Sequence, residues 1–133
     1  MKSVLVHLIS LSVLTAMAYL QLNDPDPLYW VSVYLIASLI PATALVPAAL
    51  RPVAALMPRV AGTSKVQDRI FCIAVGLIVA GLLISGPGFV DFLRYEPITQ
   101  ITASMAANPR VEAAREFLGL VIAWGMLIIS GRH

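Results

Sequence analysis

Four carboxylates stand in two short blocks at the edges of apolar segments. Asp24 and Asp26 lie in Gln21-Leu22-Asn23-Asp24-Pro25-Asp26-Pro27-Leu28-Tyr29-Trp30, and Glu112 and Glu116 flank Arg115 further along the chain. Asp24, Asp26, Glu112 and Glu116 offer hard oxygen ligands suited to Ca²⁺, Mg²⁺ or Mn²⁺, and Gln21 and Asn23 add neutral oxygens. With Trp30 and Arg115 they form the candidate ligand-binding set, in which the guanidinium suits a bidentate grip on an anionic group. Glu112, Arg115 and Glu116 share one helix face, with Glu116 about 6 Å deeper than Glu112. A carboxylate entering a membrane bundle must face inward and find a partner. The structural alternative gives each residue a duller role, in which Asp26 caps a helix, Asp24 and Asn23 build a turn, and Arg115 pairs with a glutamate or with an aspartate of the first block.

Catalysis has little to stand on. No nucleophile is spaced with a base, and there is no His-Glu-x-x-His pattern, phosphate loop or nucleophile motif. His7 lies near the cytoplasmic end of the first span and His133 is the last residue, so neither is expected to reach the outer carboxylates, and His7, near Ser10 and Ser12, reads as a hydrogen-bond partner between helices. Paired carboxylates alone leave room for acid/base work, but the sequence does not set their separation. The expectation therefore weighs against an enzyme and names no catalytic residue.

The elements that must position these blocks are membrane spans. Hydrophobic residues make up 59% of 133 positions and charged ones 12%, a composition of integral membrane proteins. Four segments approach the roughly 20 apolar residues a crossing needs: 4–22, 28–46, 70–85 and 109–130. Without strand-like alternation they must be helical, since lipid offers the backbone no hydrogen bonds. Ala16-Met17-Ala18 behind Lys2 imitates a signal-peptide cleavage site, which would leave three spans; the apolar run continues to Leu22 and is read as a span.

Lys2, Arg51, Arg59, Lys65, Arg69 and Arg132 fall on one side if the spans alternate, and Arg94, Arg110 and Arg115 on the other. The positive-inside rule then places both termini in the cytoplasm. Of the seven acidic residues, only Asp68 stays inside. Tyr19, Tyr29, Trp30, Phe89, Phe92, Tyr95 and Phe117 map to an outer aromatic belt. The net charge of +2 and pI near 9.0 come from a loop whose cations are scattered among Pro52, Pro58 and Gly62 without interleaved aromatics. Attraction to anionic lipid explains that loop, and nucleic acid is not an expected partner.

Local signals refine the spans. Pro41 interrupts span two and frees the carbonyl near Ala37, with Ser38 and Thr43 at hand to compensate. Gly76/Ala80, Gly81/Ser85 and Gly119/Ala123 are small-residue pairs suited to close helix packing, with self-association a weaker reading. Gly86-Pro87-Gly88 reads as the end of span three, and the segment from there to Ala107 as an interfacial helix or ordered loop over the outer end of the bundle. Asn108-Pro109 and Asp26-Pro27 both read as helix starts. The single Cys72 excludes an intrachain disulfide and reads as a buried packing residue.

The Gln21-to-Pro27 turn followed by Trp30, together with Glu112-x-x-Arg115-Glu116-x-x-Gly119-Leu120, resembles the transmembrane protein 220 family of small helical membrane proteins. The resemblance follows the span layout over essentially the whole chain and is specific at these two blocks. It implies a fold and a membrane address, and carries over no catalytic residue or reaction. The expectation is one all-α domain over 1–133, an integral membrane four-helix bundle with both termini cytoplasmic and an outer interfacial segment. It would be multi-pass in the membrane, the inner membrane were the source bacterial. The expected role is a small accessory or scaffolding subunit, whose partners are the lipid bilayer and either another membrane protein or a second copy. The alternative is a binding or transport protein for a cation or small polar ligand, and the third an intramembrane enzyme. The sequence demands no cofactor, though the carboxylates leave room for a divalent cation.

Overall fold

The computed structural model describes residues 2–24, 26–49, 63–102 and 108–131. Pro25, Arg51, Pro52, Pro58, Arg59, Gly62, residues 103–107 of the expected interfacial segment, Arg132 and His133 lie outside the described residues. The helices are α1 (Lys2–Leu20), α2 (Pro27–Ala49), α3 (Thr63–Tyr95) and α4 (Pro109–Gly131), with 3-10 turns at Gln21–Asn23 and Ile98–Thr102. No strand occurs among the described residues. Each of the four helices holds a stretch long and apolar enough to cross a bilayer: Val4–Asn23, Pro27–Leu45, Gln67–Tyr95 and Pro109–Gly131.

The chain punctuates its first hairpin with prolines. A residue before proline is driven out of the helical region, and Asp24, before Pro25, is extended at φ −75° and ψ 151°. Its N–H still closes a last turn onto the Gln21 carbonyl at 3.2 Å. Pro27 then opens α2, where a missing donor is harmless. α1 and α2 pack side by side, as do α3 and α4, while α2 also touches α3 and α4 touches both α1 and α2.

Leu14, Val33, Tyr34, Ala37, Ile78 and Leu120 are fully buried in the centre of this bundle. Leu5, Leu83, Ile84 and Ile129 stand exposed, as a surface facing acyl chains requires. Gly81 lets α3 approach, since a methyl there would come within 2.6 Å of Leu120 and 3.0 Å of the Tyr29 hydroxyl. Gly76, expected in the same role, has nothing within 4 Å.

Four further expectations need correction. α3 does not stop at Gly86-Pro87-Gly88 but continues to Tyr95 with Pro87 inside it. The packing explains this: a methyl at 88 would meet Ala113 of α4 at 2.5 Å, so Gly88 lets α3 close on α4, and that contact offsets the roughly 3 kcal/mol an interior proline costs a helix. Cys72 is exposed, because its neighbours Phe71 and Ala74 take the side of α3 that packs into the bundle. Trp30 and Phe92, assigned to an interfacial belt, are buried, whereas Tyr19 and Tyr95 are exposed. The Ser38 and Thr43 hydroxyls bond to the carbonyls of Leu35 and Ile40, rather than to that of Ala37.

Candidate functional site

α1 and α4 run antiparallel in a heptad register. Ser10 donates to the Met126 sulfur at 3.7 Å, and Met17 lies against Gly119. One further step of seven along α1, and seven back along α4, brings Asp24 to Glu112, whose side chains reach hydrogen-bonding range. The register that interlocks the two helices therefore delivers the aspartate of the first block to the glutamates of the second. Asn108 fixes the start of α4: its Oδ1 accepts from Arg110 N at 3.0 Å, as an N-cap should.

Asp24, Glu112 and Glu116 each place a carboxylate oxygen within 4.8 Å of the other two. Asp24 is 9% exposed, and both glutamates are partly buried. At an effective dielectric near 20, two full charges 4.8 Å apart repel by roughly 3 kcal/mol. Three such pairs approach the whole stability of a typical domain, about 5–15 kcal/mol. The cluster thus demands positive charge, either a cation or protons of its own. Asp26, at the exposed start of α2, adds its field to both glutamates from beside the three.

The floor is made by Tyr34 and Gln21. Tyr34 is fully buried, and its hydroxyl fills the notch left by Gly119, one turn below Glu116. Both Glu116 and Asp24 act electrostatically on it, and the Gln21 side-chain amide lies beside it. Gln21 is 8% exposed. The amide interacts with that hydroxyl, though neither the Tyr34 hydroxyl nor Gln21 Oε1 makes a well-formed hydrogen bond among the described residues. A buried polar group left unpaired costs about 1–3 kcal/mol. Below this floor Leu14, Ala37, Ile78, Leu120 and Ala123 form a fully buried apolar layer.

The remaining predicted residues make other contacts. Arg115 donates through Nε to the Ile101 carbonyl at 2.6 Å, tying the second 3-10 turn to α4. Trp30 is buried, stacked edge-to-face on Tyr29 at 4.9 Å, and with Asp26, Pro27, Leu28, Tyr29 and Ile84 it lines a shallow groove of ≈ 440 Å³. Asn23 is exposed. His7 is buried on α1, nearly five turns before the pocket. Sequence reasoning missed Tyr34 as a site residue, since nothing in an apolar run announces that one tyrosine will face a glycine of another helix. It also missed Glu96, which accepts from Asn108 Nδ2 at 2.8 Å and pairs with Arg110 at 3.5 Å, latching the end of α3 to the start of α4.

A protein-family model described as "Transmembrane family 220, helix" matches residues 13–131. No curated protein and no solved structure matches the chain.

Proposed function

The chain belongs to transmembrane family 220 and is a multi-pass membrane protein; from that premise we propose that it binds a cationic ligand in the pocket formed by Asp24, Glu112 and Glu116. The observation that carries this reading is the convergence of three carboxylate oxygens within 4.8 Å of one another. A ligand bringing positive charge would answer the repulsion among them. The apolar layer beneath Tyr34 supports binding without conduction, because an ion moving inward would first have to cross closed hydrocarbon. With both termini cytoplasmic, as the Lys/Arg distribution favours, the pocket opens outward. A role as accessory subunit rests on small size and the lack of a catalytic motif, and cation binding at the end of the bundle is compatible with it.

Native mass spectrometry of the gently extracted protein tests the proposal, comparing wild type with Asp24→Asn and Glu116→Gln. Expected is a small cationic species on the wild type that is absent from both variants. A wild-type protein with no such species, and no stabilisation by any added metal ion or organic ammonium, overturns it. Copurification of another subunit with all three proteins would instead favour the accessory role.

A further inference from the structure

Apart from the carboxylate pocket between α1 and α4, we infer that the groove between the start of α2 and the flank of α3 is a binding site for a phospholipid with an ethanolamine headgroup, its ammonium against Asp26 and an acyl chain along Ile84. The groove encloses ≈ 440 Å³ and is lined by Asp26, Pro27, Leu28, Tyr29, Trp30 and Ile84. One carboxylate is thus set beside five apolar or aromatic side chains, the pattern of a site for an amphiphile. The fold fixes its walls. The Tyr29 hydroxyl donates to the Leu77 carbonyl at 2.8 Å, holding α2 to α3, and Trp30 packs edge-to-face on Tyr29. Leu28 is 85% exposed and Ile84 67%, so the groove is open to the acyl chains around the bundle.

Depth and charge select the occupant. Asp91 and Arg94 are exposed on α3 and mark its wet end. Ile84 stands seven residues before Asp91, about 10 Å deeper along the helix. Asp26, exposed in the same groove, therefore lies where a carboxylate requires a counter-charge. Lipid reaches that depth from the side, and an ammonium headgroup supplies the charge directly. A headgroup of net negative charge would meet repulsion from Asp26, whose field also reaches Glu112 and Glu116. A primary ammonium donates hydrogen bonds to a carboxylate, as the lysine ammonium does, and a quaternary one has no N–H to donate, which favours ethanolamine over choline. A second copy of the chain is disfavoured by symmetry, because groove packed on groove would set Asp26 against its twin.

The test is quenching of Trp30 fluorescence in the full-length Trp124→Phe protein, which retains Trp30 as its single tryptophan. Nanodiscs of unbrominated phosphatidylcholine are doped with dibrominated phosphatidylethanolamine, phosphatidylcholine or phosphatidylglycerol, and helix content is checked in each variant. Expected is half-maximal quenching by the ethanolamine lipid at a mole fraction at least ~3-fold lower than for the other two. Asp26→Asn should bring all three lipids within ~2-fold of one another. Asp24→Asn should keep the preference to within ~2-fold, which separates the groove from the cation-binding pocket. Equal quenching by the three lipids before any change at Asp26 is the behaviour of ordinary surrounding lipid and overturns the site. No quenching by any of them shows the groove covered by protein instead, and also overturns it. A preference lost in Asp24→Asn yet kept in Asp26→Asn moves the ammonium to the carboxylate pocket, overturning the groove while leaving the cation-binding reading standing.

Discussion

Replacing Gly119 by alanine probes the junction on which the pocket rests. The added methyl would overlap the Tyr34 hydroxyl and stand 3.0 Å from the Met17 methyl. Met17 is flexible and yields at little cost, but Tyr34 is fully buried between α2 and α4 and has no free direction. Overpacking of this kind costs about 1–3 kcal/mol. Tyr34→Phe acts on the same space in the opposite sense. It deletes a buried hydroxyl that meets the Gln21 amide short of a well-formed hydrogen bond, and burying such a group costs about 1–3 kcal/mol, so in the absence of divalent ions it should leave the protein as stable as wild type or up to about 1 kcal/mol more stable. In the double variant the new methyl takes the room the hydroxyl vacated, and at least ~1 kcal/mol of the Gly119→Ala penalty should return as a coupling energy. SDS unfolding in mixed micelles with EDTA, followed by helix circular dichroism, measures all four corners of the cycle. Additive effects, or a Tyr34→Phe protein destabilised by more than ~1 kcal/mol, would refute both the close approach at Gly119 and the unpaired hydroxyl.

The two α3 glycines should diverge under the same assay. Gly76→Ala, in open space, should gain up to ~1 kcal/mol from helix propensity, whereas Gly81→Ala, against Leu120 and the Tyr29 hydroxyl, should lose about 1–3 kcal/mol. Asn108→Ala removes both the cap of α4 and the Glu96 contact and should lose about 1 kcal/mol or more. Cys72, exposed on an apolar face of α3, should react with a lipid-soluble maleimide in nanodiscs and resist a charged one; equal reaction with both would place that face in water.

The spans and helix starts were legible because their causes are local. Apolar runs between charges dictate helices in lipid, and Asn108 and the prolines around Asp26 act within a turn of themselves. The two acidic blocks were legible as candidates for the same reason. That Asp24 meets Glu112 was not, because the pairing depends on the heptad register between helices far apart in sequence, set by contacts such as Ser10 with Met126. Gly86-Pro87-Gly88 misled because a proline's local cost, roughly 3 kcal/mol, is offset by the tertiary contact that Gly88 permits with Ala113. Cys72 misled because apolar character, which marks burial in water, marks either burial or lipid exposure in a membrane.

The same physics explains why a binding pocket would sit at this end of the bundle and no deeper. Unpaired oxygens and clustered carboxylates destabilise a protein unless a ligand answers them, so they are tolerable where the surrounding packing is strong and water or an ion can arrive. Here the first hairpin ends in extended, proline-bound backbone, which turns Asp24 out of its helix toward the mouth of α4. One turn below Glu116, Tyr34 is already locked against Gly119, and the layer of Leu14, Ile78 and Leu120 is closed. The clustered carboxylates are thus confined to about two turns at this end of the bundle, while the helices below carry the stability that lets those turns remain strained for a ligand. An ion bound there would relieve the repulsion at its source and tighten the contact that created it. The consequence is a protein whose stability rises with ligand concentration, by about 2.7 kcal/mol at a hundredfold excess over the dissociation constant, and whose Glu112→Gln variant is more stable when stripped of ions yet less responsive to them. A variant that loses stability in both conditions would show that the carboxylate serves the fold and not a ligand.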